Sequence, residues 1–155
     1  MEIIKKELIK VTGIVKIIKK NISGNIVGIS TYKNIVTNTG LQLIGELLND
    51  DATEGITYFA LGSNATDPTV NDTTLGTETF RKQIAFRSRS NQTITLASYL
   101  TTSEANAAHK ELGHFGNGAT SVTDSGDLFN HTEIDETKDV SITWTIEQTF
   151  TFANA

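Results

Sequence analysis

The carboxyl-terminal part of the chain alternates apolar and polar side chains, and no other feature of the sequence restricts the fold as strongly. The apolar series is Val140, Ile142, Trp144, Ile146, Phe150 and Phe152. A period of two places these side chains on one face of a β-strand and the intervening serine, threonines and glutamate on the other. At roughly 3.4 Å per residue the strand would be more than 40 Å long. We therefore expect it to lie in a large antiparallel sheet, with Trp144 in the core.

Shorter segments with strand character precede it, and the overall composition supports them. The 155 residues include 24 threonines, 12 asparagines and 12 glycines. Threonine is favoured on a half-buried pleated surface, and asparagine and glycine are favoured in tight turns. We predict strands at 7–19, 25–36, 56–62, 79–89, 93–101, 109–115 and 128–134. In the sixth of these strands, Leu112 and Phe115 are both expected to point inward.

The first two predicted strands form a hairpin. The loop between them, residues 21–25 (NISGN), contains Gly24 for a backbone conformation with positive φ. Val11, Val15 and Ile17 share one face of the first strand, and Val27, Ile29 and Ile35 share one side of the second. A hairpin alone is only marginally stable, so this one must pack on the body of the protein or on another chain.

The period changes after the hairpin. Leu41, Ile44 and Leu48 follow one another at spacings of three and four, which predicts a short amphipathic helix over about 39–49. Asn38 or Thr39 is the expected N-cap residue. Residues 63–77 (SNATDPTVNDTTLGT) form a polar loop that contains the single proline, and a loop of this length in a compact domain often carries a contact.

The fold class that follows is mainly β: an antiparallel β-sandwich with one short amphipathic helix and an N-terminal β-hairpin. Length gives about one domain. We divide it into a basic hairpin arm, residues 1–36, packed on the body or on a neighbouring subunit, and a sandwich body, residues 37–155.

Charge is distributed unevenly along the chain. Residues 1–20 contain six lysines and two glutamates, a net charge of +4, whereas the remaining residues carry −9. A basic segment on an acidic body could bind nucleic acid, anionic lipid, or an acidic copy of itself or of a neighbouring subunit. No aromatic residue precedes Tyr32 to stack on bases, so we expect a protein partner and no nucleic acid. The predicted interface residues are Lys10, Lys16, Lys19, Lys20 and Tyr32.

Several classes of protein are disfavoured by what the sequence lacks. It contains no cysteine, which removes disulfides, thiol nucleophiles and cysteine-based metal sites. No apolar run approaches the roughly 20 residues that span a membrane. Lysines interrupt the apolar stretches near residue 1, so we expect no signal peptide and synthesis in the cytoplasm.

Catalysis finds little support in the residues. His109, His114 and His131 are the candidate bases, but no G-x-S-x-G motif accompanies them. No glycine-rich phosphate-binding loop is present. We therefore predict that the chain is not an enzyme and uses no cofactor.

Two kinds of ligand stay open as weaker alternatives. Loop oxygens from Asp67, Asp72, Asp124 and Asp127 could bind calcium, although the EF-hand spacing is absent and such residues usually serve turns. The aromatic residues that could contact a carbohydrate are Tyr32, Tyr58, Tyr99 and Trp144.

The order of several short segments resembles a family of small tail-associated structural proteins of bacteriophages and prophages. The segments are 34–41 (NIVTNTGL), 56–63 (ITYFALGS), 74–78 (TLGTE) with Arg81-Lys82, 111–115 (ELGHF), 126–129 (GDLF), 138–140 (KDV) and 142–146 (ITWTI). Together they cover roughly residues 34–152 and leave the lysine-rich hairpin outside. The family has no known catalytic residues to transfer.

The resemblance implies a virion structural protein, made in the host cytoplasm and placed at the tail, baseplate or fibre attachment. Its expected partners are copies of itself, as a trimer or hexameric ring, and other tail proteins. The alternatives are a module at a fibre tip that binds host carbohydrate through residues 63–77 and 116–127, and a capsid decoration protein.

Overall fold

A computed structural model describes residues 8–155, and it contains two antiparallel five-stranded sheets and one helix within that range. The elements in chain order are β1 (Ile9–Asn21), β2 (Ile26–Lys33), β3 (Ile35–Val36), α1 (Asn38–Leu48), β4 (Ile56–Gly62), β5 (Glu78–Gln83), β6 (Phe86–Ser90), β7 (Thr93–Leu100), β8 (Ala108–Gly116), β9 (Asp127–Thr137) and β10 (Ile142–Asn154). The predicted mainly-β sandwich with one helix and an N-terminal hairpin is confirmed. Lys5, Lys6 and the two glutamates of the basic segment lie outside the described residues.

The first sheet, sheet A, has the strand order β2-β1-β10-β7-β6, and sheet B has the order β3-β9-β8-β4-β5. The long alternating strand predicted at the carboxyl terminus is β10, which pairs with β1 on one side and with β7 on the other. It is the central strand of sheet A, and its inward face buries Trp144, Ile146 and Phe150 together with the polar Gln148. The hairpin therefore packs on the body, since β1 pairs with β10 from Ile9 to Asn21.

The main core lies between the two sheets. It contains Val15, Ile17, Leu100, Trp144 and Ile146 from sheet A and Phe59, Leu61, Leu112 and Ile134 from sheet B. A second cluster joins Leu43 of α1 to Phe129 and Phe150. The rings of Phe129 and Phe150 meet edge to face at 4.9 Å between centroids, a favourable geometry for aromatic pairs.

Sheet B is buried on both faces, which is unusual for one layer of a two-sheet sandwich. On the outer face, Ala60, Leu75, Phe115, Ala119 and Leu128 form a third cluster. Residues 63–77 and 117–126 cover this cluster. Leu112 and Phe115 therefore point to opposite faces, and the expectation that both point inward toward one core was wrong. The two residues are three apart, so the alternation of a strand by itself places them on opposite faces.

Three further details differ from the sequence-based expectations. The predicted strand 79–89 is two strands, β5 in sheet B and β6 in sheet A, and the chain changes sheets at Ile84 and Ala85. The N-cap of α1 is Thr37, whose hydroxyl accepts a hydrogen bond from the Gly40 N–H at 2.9 Å. Val27 and Ile29 of β2 point to solvent.

Within the described range no helix is long and apolar enough to cross a bilayer.

Candidate functional site

Most of the residues that the sequence predicts for an interface or a ligand site lie on or beneath two surfaces. One is the outer face of sheet A on the hairpin, and the other is the outer face of sheet B beneath the two long loops. The hairpin surface follows directly from strand register. Because Val15 and Ile17 point into the core, the alternate residues Ile14, Lys16, Ile18 and Lys20 of β1 point outward.

The outward face of β2 continues this surface. Ile29 lies opposite Ile18, Ile26 lies opposite Lys20, and Lys33 lies opposite Ile14. Ile14 is 43% exposed and Ile29 is 55% exposed. We call Ile14, Ile18, Ile26 and Ile29 the hairpin patch. Lys16 lies between Ile14 and Ile18 on β1, and Lys20 and Lys33 lie opposite Ile26 and Ile14. Exposed apolar side chains bordered by charged ones are typical of a protein contact surface.

The structure places the five predicted interface residues in two groups. Lys10, Lys16 and Lys20 lie on the outer face of β1, where Lys16 forms an ion pair with Glu147 at 3.2 Å. Lys19 and Tyr32 point inward instead. Both bind the buried carboxylate of Glu136 on β9, and Tyr32 donates its hydroxyl hydrogen at 2.7 Å.

The contact among Lys19, Tyr32 and Glu136 joins sheet A to sheet B. Burial alone would raise the pKa of Glu136, but hydrogen bonds from Lys19, Ser30 and Tyr32 outweigh it and lower that pKa. Burial and the neighbouring Glu136 carboxylate raise the pKa of Tyr32. These two predicted interface residues therefore join the hairpin to sheet B instead of facing a partner.

On sheet B, a series of contacts between ionisable side chains holds the loop of residues 63–77. Glu111 on β8 is 1% exposed. Its carboxylate accepts hydrogen bonds from the backbone N–H of Asn64 at 3.1 Å and from those of Gly76 and Thr77 at 2.8 Å. Three backbone N–H groups from both ends of the loop thus converge on one side chain.

His131 on β9 extends this chain of contacts to a second carboxylate. Its Nε2 lies 3.0 Å from Glu111 Oε2, and its Nδ1 lies 2.7 Å from Asp72 Oδ2 in the loop. Because carboxylates only accept hydrogen bonds, both contacts form together when both ring nitrogens carry hydrogen. Both ring nitrogens thus face carboxylates, and the contacts of His131 join the loop to β8 and β9.

A polar cavity of about 370 Å³ lies beside this chain, between the loop and sheet B. Asp67 and Asp72, two of the four calcium candidates, line it. Partial burial raises the pKa of Asp72, but hydrogen bonds from Thr69 and His131 outweigh that effect and lower it. Among residues 8–155, no three histidine or acidic side chains are arranged to hold a metal ion.

The other two calcium candidates lie at the second loop. Asp124 donates its backbone N–H to Glu78, and Asp127 accepts a hydrogen bond from Asn117 at 2.9 Å. Arg81 and Glu78 form a buried two-fold hydrogen-bonded ion pair, with both distances 2.7 Å. Arg81 also donates to the Ser125 carbonyl oxygen at 2.7 Å and lies over the Phe115 ring, so this pair holds residues 117–126 as Glu111 holds residues 63–77.

The remaining two histidines are structural in their contacts. His109 Nε2 lies 2.8 Å from the Ala105 carbonyl oxygen, and its ring meets Trp144 edge-on. His114 is buried between the sheets against Phe150, and burial lowers its pKa to about 3.

The four aromatic residues proposed for carbohydrate do not form one surface. Trp144 is in the core, Tyr32 binds Glu136, Tyr58 packs beneath the loops, and Tyr99 is 47% exposed on the outer face of sheet A.

Sequence reasoning missed the contact between Glu111 and His131. The only available signal was a glutamate and a histidine inside otherwise apolar strands. Their pairing depends on the register between β8 and β9, which places His131 opposite Gly113, two residues from Glu111. Glu78, Arg81 and Glu111 belong to the segments that carry the phage resemblance, so that resemblance falls on the residues that fasten the two loops.

We found no match to this chain among protein-family models, curated proteins or solved structures. Within residues 8–155 the geometry defines a class by its fold: a two-sheet β-sandwich in which two loops are held against the outer face of sheet B, and the outer face of sheet A carries the hairpin patch.

Proposed function

We propose that this chain is a structural protein of a bacteriophage virion, at the tail, baseplate or fibre attachment, that assembles with copies of itself and with neighbouring virion proteins. The observation that carries the proposal is the hairpin patch. Ile14, Ile26 and Ile29 of the patch are exposed and Ile18 is partly buried, whereas sheet B is covered on both faces. Burying such a patch against another subunit removes apolar surface from water, which favours association.

Charge supports a contact between unlike surfaces. Lys16, Lys20 and Lys33 lie within and beside the patch, whereas Asp67, Asp124 and Glu133 are exposed among the loops and strands on the far side of the sandwich. A contact between the basic surface of one copy and an acidic surface of the next is head-to-tail, and it closes into a ring when the rotation between copies permits. We propose a ring of three or six copies.

The virion placement rests on the resemblance of residues 34–152 to phage tail-associated proteins. A capsid decoration protein would use the same kind of contact with a different neighbour, so the adjacent genes distinguish the two: sheath, tube or baseplate genes support the tail, and a capsid gene supports the head. A module that binds host carbohydrate would use the loops on sheet B, and mutation of those loops would then abolish glycan binding without affecting assembly.

Assembly can be tested with the full chain by size-exclusion chromatography with light scattering. We expect a discrete oligomer, and we expect the double variant Ile14→Glu, Ile29→Glu to be monomeric because it places two charges in the patch. Leu41→Glu is the matched control, since Leu41 is an exposed apolar residue of α1 that lies in neither of the two proposed contact surfaces, and it should leave the oligomer intact.

Two outcomes would contradict the proposal. One is a wild-type chain that stays monomeric at high concentration and binds no product of the neighbouring genes. The other is an oligomer that survives the patch variant unchanged. Circular dichroism of each variant establishes whether it folds.

A further inference from the structure

A second apolar surface lies at the opposite edge of sheet A from the hairpin. A cleft of about 540 Å³ opens between α1 and the β6–β7 hairpin. Leu47 and Leu48 of the helix form one wall, and Ile94, Leu96 and Phe150 form the other. Leu48 is 84% exposed. The volume lies in the range of sites that bind part of another molecule.

The strand beside the cleft has an unpaired edge. Among residues 8–155, β6 is the last strand of sheet A with β7 as its one neighbour, and all five of its residues are exposed. Ser90 lies opposite Thr93 across a two-residue turn, and such a turn is flanked by a hydrogen-bonded pair. Hydrogen-bonded and non-hydrogen-bonded pairs then alternate along β6. The backbone N–H and C=O groups of Arg87 and Arg89 therefore point to the open edge, where an added strand can bind them.

The same two arginines bring positive charge to the cleft. Arg87 lies opposite Leu96 and Arg89 lies opposite Ile94, so both side chains leave β6 on the face that the cleft occupies, and both line it. Arg89 donates to the Asn91 carbonyl oxygen at 2.9 Å. Within residues 8–155, neither guanidinium forms an ion pair. Arginine binds carboxylates through two parallel hydrogen bonds.

These charges disfavour this chain's own exposed strands as the occupant. Antiparallel pairing of β6 with β6 of a second copy, centred on Ser88, would place Arg87 opposite Arg89 of that copy. Like charges directly opposite each other destabilise a sheet. The hairpin of a second copy would bring Lys16, Lys20 and Lys33 toward the same arginines.

We propose that the cleft and the free edge of β6 bind an extended segment of a different protein, in which every second residue points to the face that carries the cleft, and these residues are alternately apolar and acidic (aspartate or glutamate). The segment adds a strand to sheet A next to β6. Its apolar side chains enter the cleft, and its carboxylates pair with Arg87 and Arg89. This contact is separate from the hairpin patch, which lies at the other edge of the sheet.

A synthetic probe tests this chemistry on the full chain. The probe is a capped peptide of about nine residues. Every second residue is leucine or glutamate in turn, and threonine occupies the positions between them. Titration into isotope-labelled protein should shift the backbone amide resonances of β6 and α1. The control peptide has lysine in place of glutamate and should give no such shifts.

The variant Arg87→Gln, Arg89→Gln should weaken peptide binding about tenfold, since two partly exposed ion pairs together contribute roughly the free energy that corresponds to that factor. Lys20→Gln, Lys33→Gln removes the same charge at the other edge of the sheet and should leave the affinity unchanged. Both arginines are exposed, so the variant is expected to keep the wild-type melting temperature.

Four results would overturn the proposal. These are the absence of shifts in β6 and α1 at about 1 mM peptide, equal binding of the glutamate and lysine peptides, and equal binding by the wild type and the arginine variant. The fourth is a different occupant of the cleft. A fatty acid would be shown by dodecanoate that shifts the resonances of β6 and α1 when the peptide does not, and a second copy of the chain would be shown by a dimer that Leu48→Glu dissociates. None of these results depends on whether the hairpin patch forms a ring.

Discussion

Glu111 is the residue on which the loop of residues 63–77 depends. It is buried, and it accepts three backbone hydrogen bonds and one from His131. Hydrogen bonds to a charged group contribute more than those between neutral groups, and a buried donor left without a partner is costly. The outer surface of sheet B is therefore shaped by one carboxylate that the sequence presents as an ordinary strand residue.

Replacement of that carboxylate by an amide should destabilise the protein markedly. In Glu111→Gln the amide NH₂ faces N–H donors, so we expect the free energy of unfolding to fall by about 3 kcal/mol. Urea denaturation measures the change. Glu133→Gln, an exposed cross-strand neighbour on β9, should change stability by less than about 0.5 kcal/mol. Equal stability of the two variants would contradict this role for Glu111.

His114 should make stability depend on pH. Its pKa in the folded protein is about 3 because it is buried, whereas an unfolded histidine binds its proton near pH 6.5. Between these values the unfolded state binds more protons than the folded state. The free energy of unfolding therefore has its full value above about pH 6.5 and falls as the pH decreases. His114 should account for about 2 kcal/mol of the loss between pH 7 and pH 5.

The variant His114→Gln isolates this contribution. Its free energy of unfolding should change less than that of the wild type between the same two pH values, as measured by urea denaturation at each. A wild type and a variant with parallel pH dependence would show that His114 titrates normally. Burial also lowers the pKa of His109, so a smaller dependence with the same sign should remain in the variant.

At the scale of the element, α1 is held against β9 by close approach of the two backbones. Gly40 lies on the first turn of the helix, and a Cβ there would fall within 3 Å of three backbone atoms of Phe129. Backbone cannot move aside as a flexible side chain can. Glycine is required at this position by space, although alanine is the better helix former.

The two glycines of α1 allow a matched comparison. Gly40→Ala should lower the free energy of unfolding by about 2 kcal/mol because the helix must shift away from β9. Gly45→Ala should raise it by up to about 1 kcal/mol, since nothing lies within 4 Å of its Cβ position. Thermal or urea denaturation measures both, and a stabilising Gly40→Ala would show that the helix does not pack closely on β9.

At the scale of the whole molecule, the hairpin is part of the sandwich. β1 lies between β2 and β10, and its Val15 and Ile17 belong to the main core. Removing β1 would leave β10 with one neighbour and uncover the core residues that pack against Val15 and Ile17. The division into an arm and a body describes charge along the chain, and the hydrogen bonds of sheet A run across that division.

Hydrogen exchange can measure this integration. We expect the amides of Val15 and Ile17 to exchange through the same global unfolding as that of Ile146 in β10, with the same dependence on denaturant. Amides of the exposed turn at residues 22–24 should exchange much faster. Exchange of the β1 amides orders of magnitude faster than that of Ile146 would show that the hairpin opens independently.

Most of the fold was predictable because it rests on local patterns. The alternation at residues 140–152 predicted the central strand and the burial of Trp144, and spacings of three and four predicted α1 to within a residue at each end. The split of 79–89 into two strands was not predictable, because Phe80, Ile84 and Phe86 keep one alternating pattern in the sequence, although Phe80 and Ile84 pack in the core and Phe86 is exposed on the other face of β6. Outward placement of Ile29 was hidden for a related reason, since a period of two groups side chains without saying which group is buried.

The sequence by itself determined the elements, the turn with glycine and the uneven charge, because each of these depends on residues close together in the chain. Only the tertiary structure decided which face of the hairpin is exposed, which side chains fasten the loops, and that Arg87 and Arg89 stand beside an apolar cleft. Those features depend on register between strands distant in sequence. A shift of one residue in any of those registers would exchange inner and outer side chains, and the packing of the whole core selects the register observed.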